Sequence, residues 1–172
     1  MKKILTVVTL LLFGLGLGAQ EIGCSFVQNK TFKSNGKTER SEGIAFYTAP
    51  DHLRLNYLDP KGDYLIIDGD MLRTRRANKA SDIDTSKNPA LRAFSHALMN
   101  CVTGNCDAIA REMDADLSVS ESDGKKTAVI TARKTASRGI AKVTVTYDAK
   151  NRPVRIVLDE FNGVSTEYLV EY

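Results

Sequence analysis

From Ser25 to Tyr172 the chain is a succession of short strand-like runs cut by turn signals, with a single interruption of helical period. In His52–Leu58, Leu53, Leu55 and Tyr57 share one face and His52, Arg54 and Asn56 the other, the period of two expected of a half-buried strand. Ile140–Tyr147 alternates in the same way, with Ala141, Val143, Val145 and Tyr147 on one side and Ile140, Lys142, Thr144 and Thr146 on the other. Gly43–Thr48 stops at Ala49-Pro50-Asp51, where proline fixes its own φ and biases the residue before it toward extended geometry. Tyr64–Ile67 and Met71–Arg75 flank Asp68-Gly69-Asp70, a tight hairpin signal. Residues 25–33, Leu117–Glu121, Thr127–Ala132, Val154–Asp159 and Ser165–Tyr172 complete the series, and the polar stretch Ala77–Lys87 reads as a loop. About ten strands joined by short turns make an antiparallel meander. That much strand does not stay in one flat sheet; it must curl, closing fully or in part.

The interruption begins where Ser86 or Asn88 can cap a helix and Pro89 suits its first position. Ala90, Leu91, Phe94, Ala97, Leu98 and Cys101 then recur at helical spacing, which predicts an amphipathic helix over Pro89–Val102, ended by Gly104. A shorter helix follows from Cys106 to about Met113. The fold class is therefore mainly β (α+β): a curled antiparallel sheet closing around an inserted helix.

Residues 1–20 read as a cleaved secretory signal. Lys2 and Lys3 precede the apolar run Ile4–Leu17, and small residues follow at Gly18 and Ala19. The run is too short for a spanning helix, which needs about 20 residues. Glu21 stands where a lipid-attachment signal wants a leucine, so Cys24 is read as unmodified. Residues 21–172 suit one domain. Without Lys2 and Lys3 there are 22 basic residues against 21 acidic ones, and no basic stripe of the kind nucleic acid requires. Arg73, Arg75 and Arg76 read as a solvated strand end. In an oxidising compartment Cys101 and Cys106, at a helix end followed by a turn, predict a short-loop disulfide that leaves Cys24 odd. No Cys/His spacing suits zinc, and the acidic stretch of Asp107, Glu112, Asp114 and Asp116 lacks the spacing of a calcium loop, so no metal and no cofactor are expected. His52 and His96 read as surface residues without a nucleophile or acid partner, and nothing points to an enzyme.

Phe26-Val27-Gln28 with Lys30 resembles the F-x-Q-K opening of the periplasmic outer-membrane lipoprotein carrier family, with Asn29 inserted. Gly43-Ile44-Ala45-Phe46, Pro50-Asp51, Leu53-Arg54-Leu55, Tyr57 and Pro60 resemble its next block, and Tyr64-Leu65-Ile66-Ile67-Asp68-Gly69 the strand and turn after that. The resemblance implies an unclosed half-barrel, apolar inside, under a helical lid. It also implies a cargo of lipoprotein acyl chains, received from an inner-membrane lipoprotein-releasing transporter and handed to an outer-membrane acceptor by a monomeric periplasmic carrier. On this reading Phe46, Leu53, Leu55, Tyr57 and Ile66 line the cavity, and Leu91, Phe94 and Leu98 form the lid face. The sequence departs from the family in two places. The amphipathic helix that usually precedes the first strand is lacking, and Ala49 replaces an arginine that bonds the lid. The rival reading is an envelope sensor or protein-interaction module of the same fold; an enzyme acting on envelope lipids is a third.

Overall fold

The computed structural model describes residues 21–135 and 138–172. The leader read in residues 1–20, and with it the expected lack of a helix ahead of the first strand, lies outside the described residues. Two long strands, β1 (Glu21–Phe32) and β2 (Lys37–Thr48), open the chain as a hairpin. Its turn holds because Asn35 Oδ1 accepts the Lys37 N–H at 2.9 Å and Gly36 takes a φ of 68°. Then come β3 (His52–Asp59), β4 (Tyr64–Asp68), β5 (Met71–Arg76) and β6 (Lys79–Asp84). After the helical insert the chain returns as β7 (Ala115–Ser122), β8 (Lys125–Ala132), β9 (Ile140–Tyr147), β10 (Pro153–Glu160) and β11 (Val164–Glu171).

All eleven strands form one antiparallel sheet in the order β6-β5-β4-β3-β2-β1-β11-β10-β9-β8-β7. The chain thus makes two meanders, β1–β6 and β7–β11, joined along the β1–β11 seam, where Phe26 pairs with Val170 and Gln28 with Tyr168. The far edges β6 and β7 do not pair with each other, so the curled sheet is an unclosed half-barrel.

β6 overturns the expected loop at Ala77–Lys87. Ala77 and Asn78 take φ of 47° and 66°, a turn suited to a two-residue hairpin, and Arg73 pairs with Asp82 across it. An edge strand that leaves most of its side chains in solvent needs no apolar alternation. The alternation in β9 also breaks at one end. Ile140 is buried together with Val143, Val145 and Tyr147, because the ladder to β10 shifts between Asp159 and Glu160 and turns Ile140 back inward.

The insert consists of α1 (Pro89–Thr103) and α2 (Cys106–Glu112). Asn88 Oδ1 accepts the Leu91 N–H at 3.2 Å, Pro89 occupies the first position, and Gly104 ends α1 at a φ of 76°. α1 packs on β9 and β10, and α2 on β7 and β8. Ala97, Leu98, Cys101, Cys106 and Ile109 meet Ile130, Val143, Val145, Tyr147, Ile156 and Leu158 in the larger part of the core. Each fully buried Leu or Ile there contributes about 1.5–3 kcal/mol. Phe26, Leu53, Leu55, Ile67 and Leu72 carry the same inner face through the first meander.

The expected Cys101–Cys106 bridge is not formed; both residues are free thiols. The Tyr147 hydroxyl stands between them. It donates to the Cys101 carbonyl at 3.0 Å and lies 3.4 Å from Cys106 Sγ. Burial pushes the Cys101 thiol well above its ordinary pKa.

Candidate functional site: an apolar cavity under the helical insert

Register decides which side chains face inward. On β3, β2 and β1 three rows run across the concave face: Leu53–Tyr47–Ile22, Leu55–Ala45–Cys24 and Tyr57–Gly43–Phe26. The third row closes the space at one end. Phe26 meets Tyr57 edge-on with ring centroids 5.4 Å apart and lies 6.2 Å from the Tyr168 ring, whose hydroxyl accepts from Gln28 Nε2 at 2.9 Å. Gly43 makes room for that ring, since a Cβ there would come within 2.7 Å of Phe26 Cζ and against the Asn56 carbonyl oxygen.

Above this floor lies a cavity of about 290 Å³. Its walls are Ile22, Cys24, Ala45, Tyr47, Leu53 and Leu55 from the first meander, Pro153, Ile156 and Val170 from β10 and β11, and Leu98 and Val102 from α1. Tyr172 and the β9–β10 turn, Lys150-Asn151-Arg152, form its mouth. The turn is rigidly made. Asp148 accepts from the backbone N–H groups of Lys150 and Arg152 at 2.9 Å each and from the Arg152 guanidinium at 2.7 Å. Those bonds, the Arg152 N–H first, hold the Asp148 carboxyl below the usual carboxylate range. The Arg152 guanidinium lies 4.5 Å from the Tyr172 ring centroid, and burial raises the Tyr172 hydroxyl to about 12. Burial likewise raises the Cys24 thiol.

Of the residues expected in the cavity, Leu53 and Leu55 reach its wall. Tyr57 faces inward but lies behind Phe26. Phe46 and Ile66 do not face the cavity at all. Phe46 pairs with Arg54, Arg54 with Ile66, and Ile66 with Arg73, so the four form a row on the convex face. Of the expected lid residues Leu98 lines the cavity, whereas Leu91 and Phe94 are half-buried against the core without reaching it. Cys24, Ala45, Tyr47 and Val170 went unread, although the period of two through Ile22, Cys24 and Phe26 carries the parity that places Cys24 inside.

α1 is tied to the opposite meander through the β4–β5 turn. The Asp70 carbonyl accepts from the Thr85 N–H and Oγ1, each at 2.8 Å, and its carboxylate lies 3.5 Å from Arg92 Nε and 3.6 Å from His96 Nε2. His96 Nδ1 is 3.0 Å from Glu112 Oε2. His96 is therefore held between α2 and that turn rather than lying free on the surface. His52 is partly exposed, 3.7 Å from Asp68. Within the acidic stretch, Asp114 and Asp116 both meet Arg133.

The family model for "Outer membrane lipoprotein carrier protein" matches residues 18–171. No curated protein matches the chain. Among solved structures, a LolA superfamily protein from Nitrosomonas europaea is 10% identical, with 90% of this chain and 85% of that one covered and a TM-score of 0.41. A DUF1329 family protein from Desulfovibrio piger is 13% identical, with 89% and 84% covered and a TM-score of 0.43. The lipoprotein LppX of Mycobacterium tuberculosis is 14% identical, with 87% and 84% covered and a TM-score of 0.36.

Proposed function

This chain belongs to the outer membrane lipoprotein carrier protein family, and from that premise we propose that it is a periplasmic, non-enzymatic carrier that shields acyl chains, those of lipoproteins first among them, on their way to the outer membrane. The observation that carries the reading is the apolar cavity between the half-barrel and α1. Acyl chains ask for no directed chemistry. They need apolar surface out of water, which stabilises by about 0.8 kcal/mol per buried CH₂. α1 is the lid of this scheme, and the contacts of Arg92 and His96 with Asp70 are its latch. An inner-membrane transporter and an outer-membrane acceptor are the partners that the family premise supplies.

Native mass spectrometry of the chain purified from a periplasmic extract tests this. An added lipid or lipoprotein mass, lost in Cys24→Trp, which fills the cavity, and kept in Phe46→Ser on the convex face, is the expected result. A bare mass together with no uptake of a fluorescent acyl probe sinks the reading.

The row Arg73–Ile66–Arg54–Phe46, with Ile44 38% exposed beside it, favours a second reading, a protein-interaction module that uses the convex face. Under that reading Phe46→Ser, not Cys24→Trp, abolishes function.

A further inference from the structure

Resting on the acyl-chain reading, we infer that the cavity with α1 closed takes a single-chain amphiphile with an anionic head, either a carboxylate or a phosphate ester.

Size sets the chain count. An apolar cavity of about 150 Å³ seats one benzene. A space of about 290 Å³ then seats on the order of a dozen carbons. That is one chain of medium length. Two or three chains require α1 to leave, whereas one does not. The floor of Phe26 and Tyr57 sets where the tail must stop.

The sign of the head follows from the mouth. Asp148 is the carboxylate of that turn, and Arg152 already occupies it through its guanidinium. Lys150, at the lip of the cavity, has no carboxylate within 4.0 Å among the described residues. The hydroxyl of Tyr47, another lining residue, is already committed to the Pro50 carbonyl, to which it donates at 3.1 Å. A head group leaving the cavity therefore meets an uncompensated ammonium, and an anion gains there what a cation loses. Since the pair is solvent-exposed, the preference is modest, up to about fivefold.

Cys24 reports occupancy independently, because its thiol is in the wall and only partly accessible, whereas Cys101 and Cys106 are buried. The test uses the purified protein with parinarate, whose fluorescent tetraene is part of one slim acyl chain, as the probe. Competitors are laurate, lauryl phosphate, palmitate, dodecyltrimethylammonium and vesicles of dioleoyl phosphatidylglycerol, and alkylation of Cys24 by N-ethylmaleimide is followed in parallel. The expected result is displacement by laurate and lauryl phosphate up to about fivefold better than by the cation of the same chain length. Palmitate gains nothing over laurate, Cys24 is protected, and Lys150→Glu erases the preference for anions while the probe still binds. Equal displacement by the cation, an unchanged preference in Lys150→Glu, or phosphatidylglycerol competing as well as laurate overturns the inference and leaves the acyl-chain reading standing. No probe uptake and no protection of Cys24 by any of these lipids overturns both.

Discussion

Gly43 and Phe26 share one volume. The ring of Phe26 floors the cavity only because the residue opposite it on β2 has no side chain. Gly43→Ala pushes a methyl into that ring and into the Asn56 carbonyl, and is expected to cost about 1–3 kcal/mol, the usual range for overpacking. A denaturant midpoint checks it, and an unmoved midpoint would mean that the ring swings aside freely. Asp148 gives the matching expectation for pH. Its folded pKa is depressed, so its contribution is fully present above the ordinary carboxylate value near 3.9 and is lost as pH falls through the lower folded value. Asp148→Asn should be less stable than the parent at pH 7, and thermal melts of the two should converge at about pH 2; a gap that persists in acid would assign the effect to shape instead of charge. Parity was legible at this scale and sidedness was not. Leu53, Leu55 and Tyr57 announce their common face because Arg54 and Asn56 mark the other. In Tyr64-Leu65-Ile66-Ile67 no charged residue marks either side, and in Ala45-Phe46-Tyr47 the more apolar ring sits on the outward parity. Only the pairing of Phe46 with Arg54 and Ile66 with Arg54 reveals that these two face outward.

Elements were legible where both ends were signalled. α1 runs from its Asn88 cap to Gly104, within a residue of the expected helix, because cap, first-turn proline and left-handed stop are all local. Asn88→Ala should cost about 1 kcal/mol, read as a loss of helical signal at lower temperature. β6 was not legible, since its pairing with β5 is supplied by backbone bonds and a two-residue turn rather than by buried side chains. The latch on α1 is equally invisible in the sequence, because it joins Asp70 to Arg92 and His96 across the half-barrel. Its exposed pairs are each worth at most about 1 kcal/mol, so on the proposed lid reading they bias the position of α1 without fixing it. Asp70→Asn is therefore expected to speed release of a bound acyl probe severalfold in stopped-flow, with almost no change in the melting temperature. Unchanged release would remove Asp70 from the lid mechanism.

At the scale of the whole molecule, two locally wound meanders share one sheet through the β1–β11 seam. The larger core sits against the second meander and the cavity across the seam between the two, with α1 serving both. The curl and the single helical insert were foreseeable from strand number and from the one change of period; the joining of first strand to last was not, since nothing local records it. That seam governs the order of assembly. The strand made first must wait for the strand made last, so one edge of β1 stays open while all the rest of the chain emerges. An open edge is a template for the same strand of a neighbouring copy. The chain is thus most exposed to self-association before its final hairpin exists, when it is newest, and a companion that holds β1 apart until β11 arrives would cover that edge.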